Sequence, residues 1–440
     1  MPKPLNRLAQ ELNDKLINSP LGAMLSKRGK RMYFPSTGIL GQSKEAAGAA
    51  VNATIGMAFE FDKDGKSKPM CLDCVTEGIN LPSSAFLYTP SFGLPDLRTG
   101  WSQMLLAKNA ASLAGKAYSL PVVTSALTHG LSVAGYMILD EGDEIILPDL
   151  YWDNYDLLFE EAYGATLTTF PMFTKAGAFN AKGMERLLMG DGDKKVVLLN
   201  FPNNPTGYTA THADEKAICV ALKRVAKAGK KVVVLLDDAY FGLVYEQGVS
   251  TESMFGALMD LHPNILAVKL DGPTKEDYVW GVRVGFITFG AKGATAKEYG
   301  ALEAKAAGIV RGSISNVSSL GQHLLCRAYK NPQVYKRQRQ EKYGILKKRF
   351  DRIKKILCDN QAKYGKSFQA MPFNSGYFMC VKPVGVDAEA LRKHLLTENY
   401  QIGVIALSGL IRIAFSTIPL NKLTMFFERL HAAVQELRKQ

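Results

Sequence analysis

Three polar clusters in this 440-residue chain each follow a run of aliphatic residues, and together they hold the groups for carbonyl chemistry. The run 195–200 leads into Phe201-Pro202-Asn203-Asn204-Pro205-Thr206-Gly207-Tyr208. The run 232–236 ends in Asp237-Asp238-Ala239-Tyr240, and 265–270 ends in Asp271-Gly272-Pro273-Thr274-Lys275. They supply a lysine amine able to condense with an aldehyde, a carboxylate able to pair with a cation, and phenol and amide donors for an anionic oxygen. Taken singly, each has a plainer reading as a turn, a helix N-cap or a solvated lysine. Their joint occurrence at strand ends is the informative feature, because ligands of open parallel sheets bind outside the carboxyl ends of the strands.

The elements that must position these groups are legible as alternation. Segments 144–147, 166–170, 195–200, 231–237, 265–270 and 282–289 are rich in Val, Ile, Leu or Thr and are separated by helical or loop stretches, which predicts a mostly parallel sheet with helices on both faces. Beyond Pro332 comes a long basic helix, then short strands near 376–384 and 410–415 and helices at 387–397 and 422–439, as expected of a smaller α+β domain. The expected division is an N-terminal arm belonging partly to the small domain (1–60), a large α/β domain (61–330) and a small α+β domain (331–440). The first fifty or so residues are too few to stand alone and are expected to pack against the C-terminal part.

Composition narrows the classes. With 47% hydrophobic and 22% charged residues, the chain is neither disordered, collagen-like nor a coiled-coil rod. No apolar run is long enough for a membrane span, and the opening residues lack the apolar stretch of a signal peptide, so a cytoplasmic protein is expected. Six scattered cysteines fit a reducing compartment; Cys71 and Cys74 share motif spacing, but no second pair or His cluster completes a metal site, and none is assigned. The formal net charge is +13, and the segment 336–355 alone has ten Lys or Arg against Glu341 and Asp351. Leu346, Phe350, Ile353 and Leu357 give that segment an apolar stripe opposite a solvated basic face, and no nucleic-acid motif accompanies it. Neither nucleic acid nor membrane is expected as a partner.

Over roughly residues 38–415 the chain resembles the class I/II aminotransferases, the aspartate aminotransferase superfamily with the type I pyridoxal-phosphate fold. Asn204-Pro205-Thr206-Gly207 is similar to the family's Asn-Pro-x-Gly turn, Asp237-Asp238-Ala239-Tyr240 to its Asp-x-Ala-Tyr, and Lys275 with Arg283 eight residues on to its Schiff-base lysine and phosphate-binding arginine. The resemblance implies pyridoxal 5'-phosphate as cofactor, with Lys275, Asp237 and Tyr240 as catalytic residues. Asp237 would face the pyridine nitrogen, and Asn204 and Tyr240 the ring O3′. Ala126, Leu127 and Thr128 resemble the phosphate cup, with Thr274 a nearby hydroxyl. Trp152 resembles the residue stacked on the ring, with Tyr151 in reserve, and Tyr88 the tyrosine that reaches a neighbour's phosphate across a homodimer. Arg412 and Gly56 resemble groups that meet the substrate carboxylate, and Gly38-Ile39-Leu40-Gly41 an apolar entrance. Arg311 falls where dicarboxylate-specific relatives present an arginine across the dimer. Two positions depart from the pattern: Gly272 stands where serine is frequent, and Ala126 where glycine is common. His129 is expected to cap a helix or fill space.

The implied activity is transfer of the α-amino group of an L-amino acid to a 2-oxo acid, 2-oxoglutarate among the candidates, by a ping-pong mechanism. Carbon–sulfur β-elimination on the same fold and a non-catalytic amino-acid-binding regulator are the alternatives.

Overall fold

The computed structural model describes residues 4–18 and 20–439. Its largest sheet has seven strands: β1 (Val122–Thr124), β2 (Glu144–Pro148), β3 (Thr166–Phe170), β4 (Lys194–Asn200), β5 (Lys231–Asp237), β6 (Ile265–Asp271) and β7 (Gly285–Ala291), in the order β1-β7-β6-β5-β4-β2-β3. The row from β6 to β3 is parallel, and the buried aliphatic runs Val196 to Leu199 and Val234 to Leu236 are what a sheet covered on both faces requires. Register places Asn200 beside Asp237 and Asp237 beside Leu270, so three strand ends share one edge.

The sequence places a strand at 282–289; it is found at Gly285–Ala291, antiparallel to both β6 and β1. The shift has a local cause: Arg283 adopts φ 54°, a left-handed conformation incompatible with a strand. The reversal has a spatial consequence. In the parallel strands the residues after the strand reach the ligand edge, whereas β7 starts there, so Arg283, which precedes it, reaches the same edge as Lys275, which follows β6. Strand β1, three residues long, is too short to leave a periodicity signal in the sequence.

Helices α1 (Pro95–Lys108), α2 (Ala126–Ile138), α3 (His212–Lys227) and α4 (Ala296–Ile314) accompany this sheet. Capping boxes, Thr211 with Asp214 and Thr295 with Glu298, set the starts of α3 and α4. The long helix α5 (Pro332–Asp359) starts with Asn331 as cap and proline in its first turn. Its inner stripe includes Leu346, Phe350, Ile353 and Ile356; Leu357 is only partly buried. Arg349, counted from sequence on the basic face, instead turns inward and donates to the carbonyls of Ser416 and Phe59.

A second, antiparallel sheet contains β8 (Phe368–Ala370), β9 (Phe378–Pro383), β10 (Ile405–Leu407) and β11 (Leu410–Ala414), ordered β8-β9-β11-β10, with α6 (Leu423–Leu437) following it. The N-terminal segment packs back on this part: Val51 and Asn52 pair in parallel with Ile402 and Gly403, and the Gln42 amide exchanges two hydrogen bonds with the Ala406 backbone. The first segment also touches the larger sheet's surroundings through Arg31, paired with Glu161 at 2.9 Å.

The two sheets meet at the turn after β4. Gly207 has φ 71°, and a Cβ there would lie 1.9 Å from the Phe378 carbonyl oxygen. Gly207→Ala combines a backbone clash with a disfavoured conformation and should cost about 2–4 kcal/mol. Urea unfolding followed by circular dichroism checks this.

Candidate active site

The common edge of the large sheet opens into a cavity of about 250 Å³ walled on its other side by β9 and β11. Gly56, Ala126, Leu127, Thr128, Trp152, Asn204, Asp237, Tyr240, Thr274, Lys275, Arg283 and Arg412, separated by up to several hundred residues in the chain, all line it. Ile39 of the apolar entrance segment lines it too, whereas Tyr151 does not.

Asp237 ends β5 with its carboxylate buried. Oδ2 accepts from the Tyr155 hydroxyl at 2.6 Å and Oδ1 from the Ala239 amide at 3.1 Å. Burial raises its pKa to about 6, against the opposing pull of those hydrogen bonds and of Lys275. Lys275 sits in a one-turn helix, Pro273–Glu276, with its Nζ 5.2 Å from the Tyr240 ring centroid. Burial lowers the Lys275 pKa to about 8, opposed by Asp237 and assisted by Arg283. The pair is therefore an acid and an amine that can both change protonation near neutrality.

The turn holding Lys275 is fixed from several directions. Tyr377 donates to the Lys275 carbonyl at 2.6 Å, and buried Glu276 pairs with both Lys108 and Arg339. Asp277 accepts from Tyr335 at 2.8 Å and Tyr329 at 3.1 Å. Lys269, the nearest rival amine in sequence, is fully buried between Asp238 and Asp271 and does not line the cavity.

Arg412 reaches the cavity from β11. Its exposure is 2%; one terminal nitrogen donates to Asn204 Oδ1 at 2.9 Å, the other to the Thr54 carbonyl at 2.8 Å, and Nε has no partner. No carboxylate lies within ion-pair distance of it among the described residues. A buried guanidinium in that state can accept an anion at its free N–H groups, and Asp153 contributes to the field around it.

At the opposite end, α2 points its N-terminus at the cavity. Ala126 holds φ 60°, so alanine keeps the left-handed conformation for which glycine is better suited. His129 Nδ1 accepts from the Ser125 amide at 3.0 Å, and burial lowers its pKa, which agrees with a capping role for the neutral ring.

Two expected residues lie elsewhere. Tyr88 is 92% exposed, and Arg311 points outward with a 2.6 Å hydrogen bond to Ser315 Oγ; neither lines this cavity. Conversely, Tyr155, Asn200 and Phe378 line it without having been singled out. Asn200 bridges two strand ends, donating to the Asp237 carbonyl at 2.7 Å and accepting from the Asn204 amide at 2.8 Å. Tyr155 follows Trp152 by three positions, but its bond to Asp237 spans 82 positions, a contact that sequence spacing does not reveal.

With this geometry in place, comparison identifies the chain's relatives. The family model for aminotransferase class I and II matches residues 62–430. The chain belongs to that family. The enzyme is thus a transaminase, an activity that moves amino groups between amino acids and 2-oxo acids. It is 24% identical over 395 residues to a probable aspartate/prephenate aminotransferase of Aquifex aeolicus, covering 86% of this chain and 89% of the relative. It is also 24% identical to an aspartate aminotransferase of Geobacillus stearothermophilus, over 82% and 81% of the two chains. An aminotransferase crystal structure from Anaerococcus prevotii superposes with a TM-score of 0.80 at 23% identity, covering 93% of this chain and 99% of the other, and so shares the fold.

Two measurements probe the transaminase's site directly. Labelling of Lys275 in the cofactor-free enzyme by an amine-reactive reagent should rise about tenfold per pH unit below about 8 and level off above it, because only the neutral amine reacts; peptide mass spectrometry reads the rate. Ala126→Gly relieves the left-handed conformation and should leave stability unchanged or raise it by up to about 1 kcal/mol in thermal unfolding.

Proposed function

We propose that the enzyme uses pyridoxal 5'-phosphate to transfer the α-amino group of an L-amino acid to a 2-oxo acid in two half-reactions. The observation that carries this reading is the joint placement on one cavity of Lys275, Asp237 and the buried Arg412, whose Nε has no hydrogen-bond partner. The cavity also suits the cofactor on chemical grounds. A buried carboxylate suits a pyridinium nitrogen, an amine of lowered pKa suits an aldehyde, and a helix N-terminus with Arg283 suits a phosphate.

When bound, pyridoxal phosphate supplies an aldehyde to take up the amino group and a ring to accept charge. Asp237 would hold the ring nitrogen protonated, with Tyr155 fixing the carboxylate from behind. Tyr240 would donate to O3′, and so would the Asn204 amide nitrogen, since the Asn204 oxygen is engaged by Arg412. Trp152 would cover one ring face. Leu127, Thr128, Thr274 and Arg283 would hold the phosphate. Arg412 binds the substrate α-carboxylate in the bidentate geometry that a guanidinium offers and an ammonium does not. Lys275, neutral in an appreciable fraction near pH 8, takes the proton from the substrate Cα and later returns it. Ile39, Trp152 and Phe378 give the cavity apolar walls that limit water around the reacting atoms.

We further read the working form as a cytoplasmic homodimer in which Tyr88 and Arg311 serve the partner's site. Phe86, Leu87 and Tyr88 form an exposed apolar ridge that supports this assembly, and the six unpaired cysteines support a reducing compartment. Arg311 in the partner's cavity would favour 2-oxoglutarate or another dicarboxylate.

Borohydride reduction of the loaded enzyme should fix the cofactor on the peptide bearing Lys275, and Lys275→Ala should lose transamination by several orders of magnitude while still binding cofactor. Arg412→Lys should raise KM for amino acids about 10- to 100-fold, with a smaller change in kcat. A panel of amino acids, followed by the spectral change to the pyridoxamine form, tests the reaction itself. Release of ammonia and pyruvate without that change would replace amino transfer by β-elimination.

A further inference from the structure

A second cavity, of about 440 Å³, adjoins the one that holds Lys275, and Ile39 and Trp152 line both. Leu40, Leu157 and the Tyr33 ring extend its apolar wall, while Asp153 and Asp156 bring two carboxylates to the lining. Asp156 is engaged, its Oδ1 accepting from the Tyr151 hydroxyl at 3.0 Å. Asp153 is solvent-accessible and, among the described residues, has no cation within ion-pair distance. Its Oδ2 lies 3.5 Å from the Ile39 amide nitrogen, and a Cβ at Gly38 would come within 3.1 Å of the same oxygen. The carboxylate thus sits on the seam between the two cavities, and glycine at 38 keeps a side chain off it.

The charge around this second cavity is mainly negative. The one basic residue on its lining among the described residues, Arg7, is paired with Glu11 at 3.2 Å. Burial raises the pKa of Tyr33, and Asp156, Glu161, Glu160 and Asp153 raise it further, although Arg31 pairs with Glu161 at 2.9 Å. Across the seam, Asp153 and Arg412 act on each other through their charges. A cleft lined by one sign of charge concentrates the opposite sign. An amino acid held by its α-carboxylate on Arg412 and extending past Ile39 and Trp152 brings the far end of its side chain toward Asp153. An anionic end is repelled there, whereas methylenes ending in a cation match both the apolar wall and the carboxylate.

We propose that Asp153 selects the amino donor by binding the distal cation of an L-amino acid whose side chain is a methylene chain ending in an ammonium or guanidinium group. The assignment rests on the amino-transfer reading above and names the donor's class. A dicarboxylate acceptor would use the partner subunit's Arg311 in the other half-reaction.

The test mixes cofactor-loaded enzyme with L-lysine, L-ornithine or L-norleucine and follows conversion to the pyridoxamine form by stopped-flow absorbance in the single half-reaction. In the parent, the apparent second-order rate constant should be about tenfold or more higher for lysine or ornithine than for uncharged norleucine. Asp153→Asn should slow the two cationic donors about 10- to 30-fold and leave norleucine within about threefold, so that norleucine reports an intact fold and site. Asp153→Glu should keep the preference for the cationic donors. A parent with no preference for lysine or ornithine over norleucine, equal slowing of all three by Asp153→Asn, or no slowing of the cationic donors would each overturn the assignment. Silence of the parent toward every amino acid of the wider panel would instead remove the amino-transfer reading on which it rests.

Discussion

The burial of opposite charges at one sheet edge governs the rest of the site. Asp237 and Lys275 both leave water, and burial shifts each toward its neutral form. What keeps the carboxylate serviceable is hydrogen bonding from Tyr155 and the Ala239 amide, together with attraction to Lys275. Neither donor could do this without the register that aligns Asp237 with Asn200 and Leu270, since a slip of one residue would turn the carboxylate to the other face of the sheet.

Around that pair the structure spends charge freely to hold the backbone still. Glu276 would be raised by burial, but Arg339 and Lys108 outweigh this and hold its carboxyl below the usual range. Asp277 next to it moves upward, to about 6, through burial and the neighbouring Glu276. Removing one member of such a buried set leaves an uncompensated charge, so these groups act through geometry more than through net stabilisation. They tie the Lys275 turn to α1 and α5, while Tyr377 ties it to the smaller sheet. The Lys275 backbone is thereby held in one place.

The backbone around the cavity obeys a different constraint, close approach of backbones. Gly207 against Phe378 joins the two sheets, and Gly272, Gly285 and Ala126 bring β6, β7 and α2 together.

Runs such as Lys194–Asn200 and Lys231–Asp237 were legible almost to the residue, because a strand buried on both faces must be aliphatic throughout and end where polar residues begin. The motifs at their ends likewise named most cavity residues, since Asp237, Tyr240, Lys275 and Asn204 are held by short, local turns. What one-dimensional order could not contain was direction and distance. The reversal of β7 shows only in its pairing with β6 and β1; Tyr155 matters only through a contact 82 positions away; and the lack of an ion pair at Arg412 among the described residues is a property of its surroundings. Local chemistry was thus set by residue type and spacing, whereas which groups ended up buried, partnered or unpartnered was decided by long-range packing, because desolvation depends on every chain segment that closes over a site.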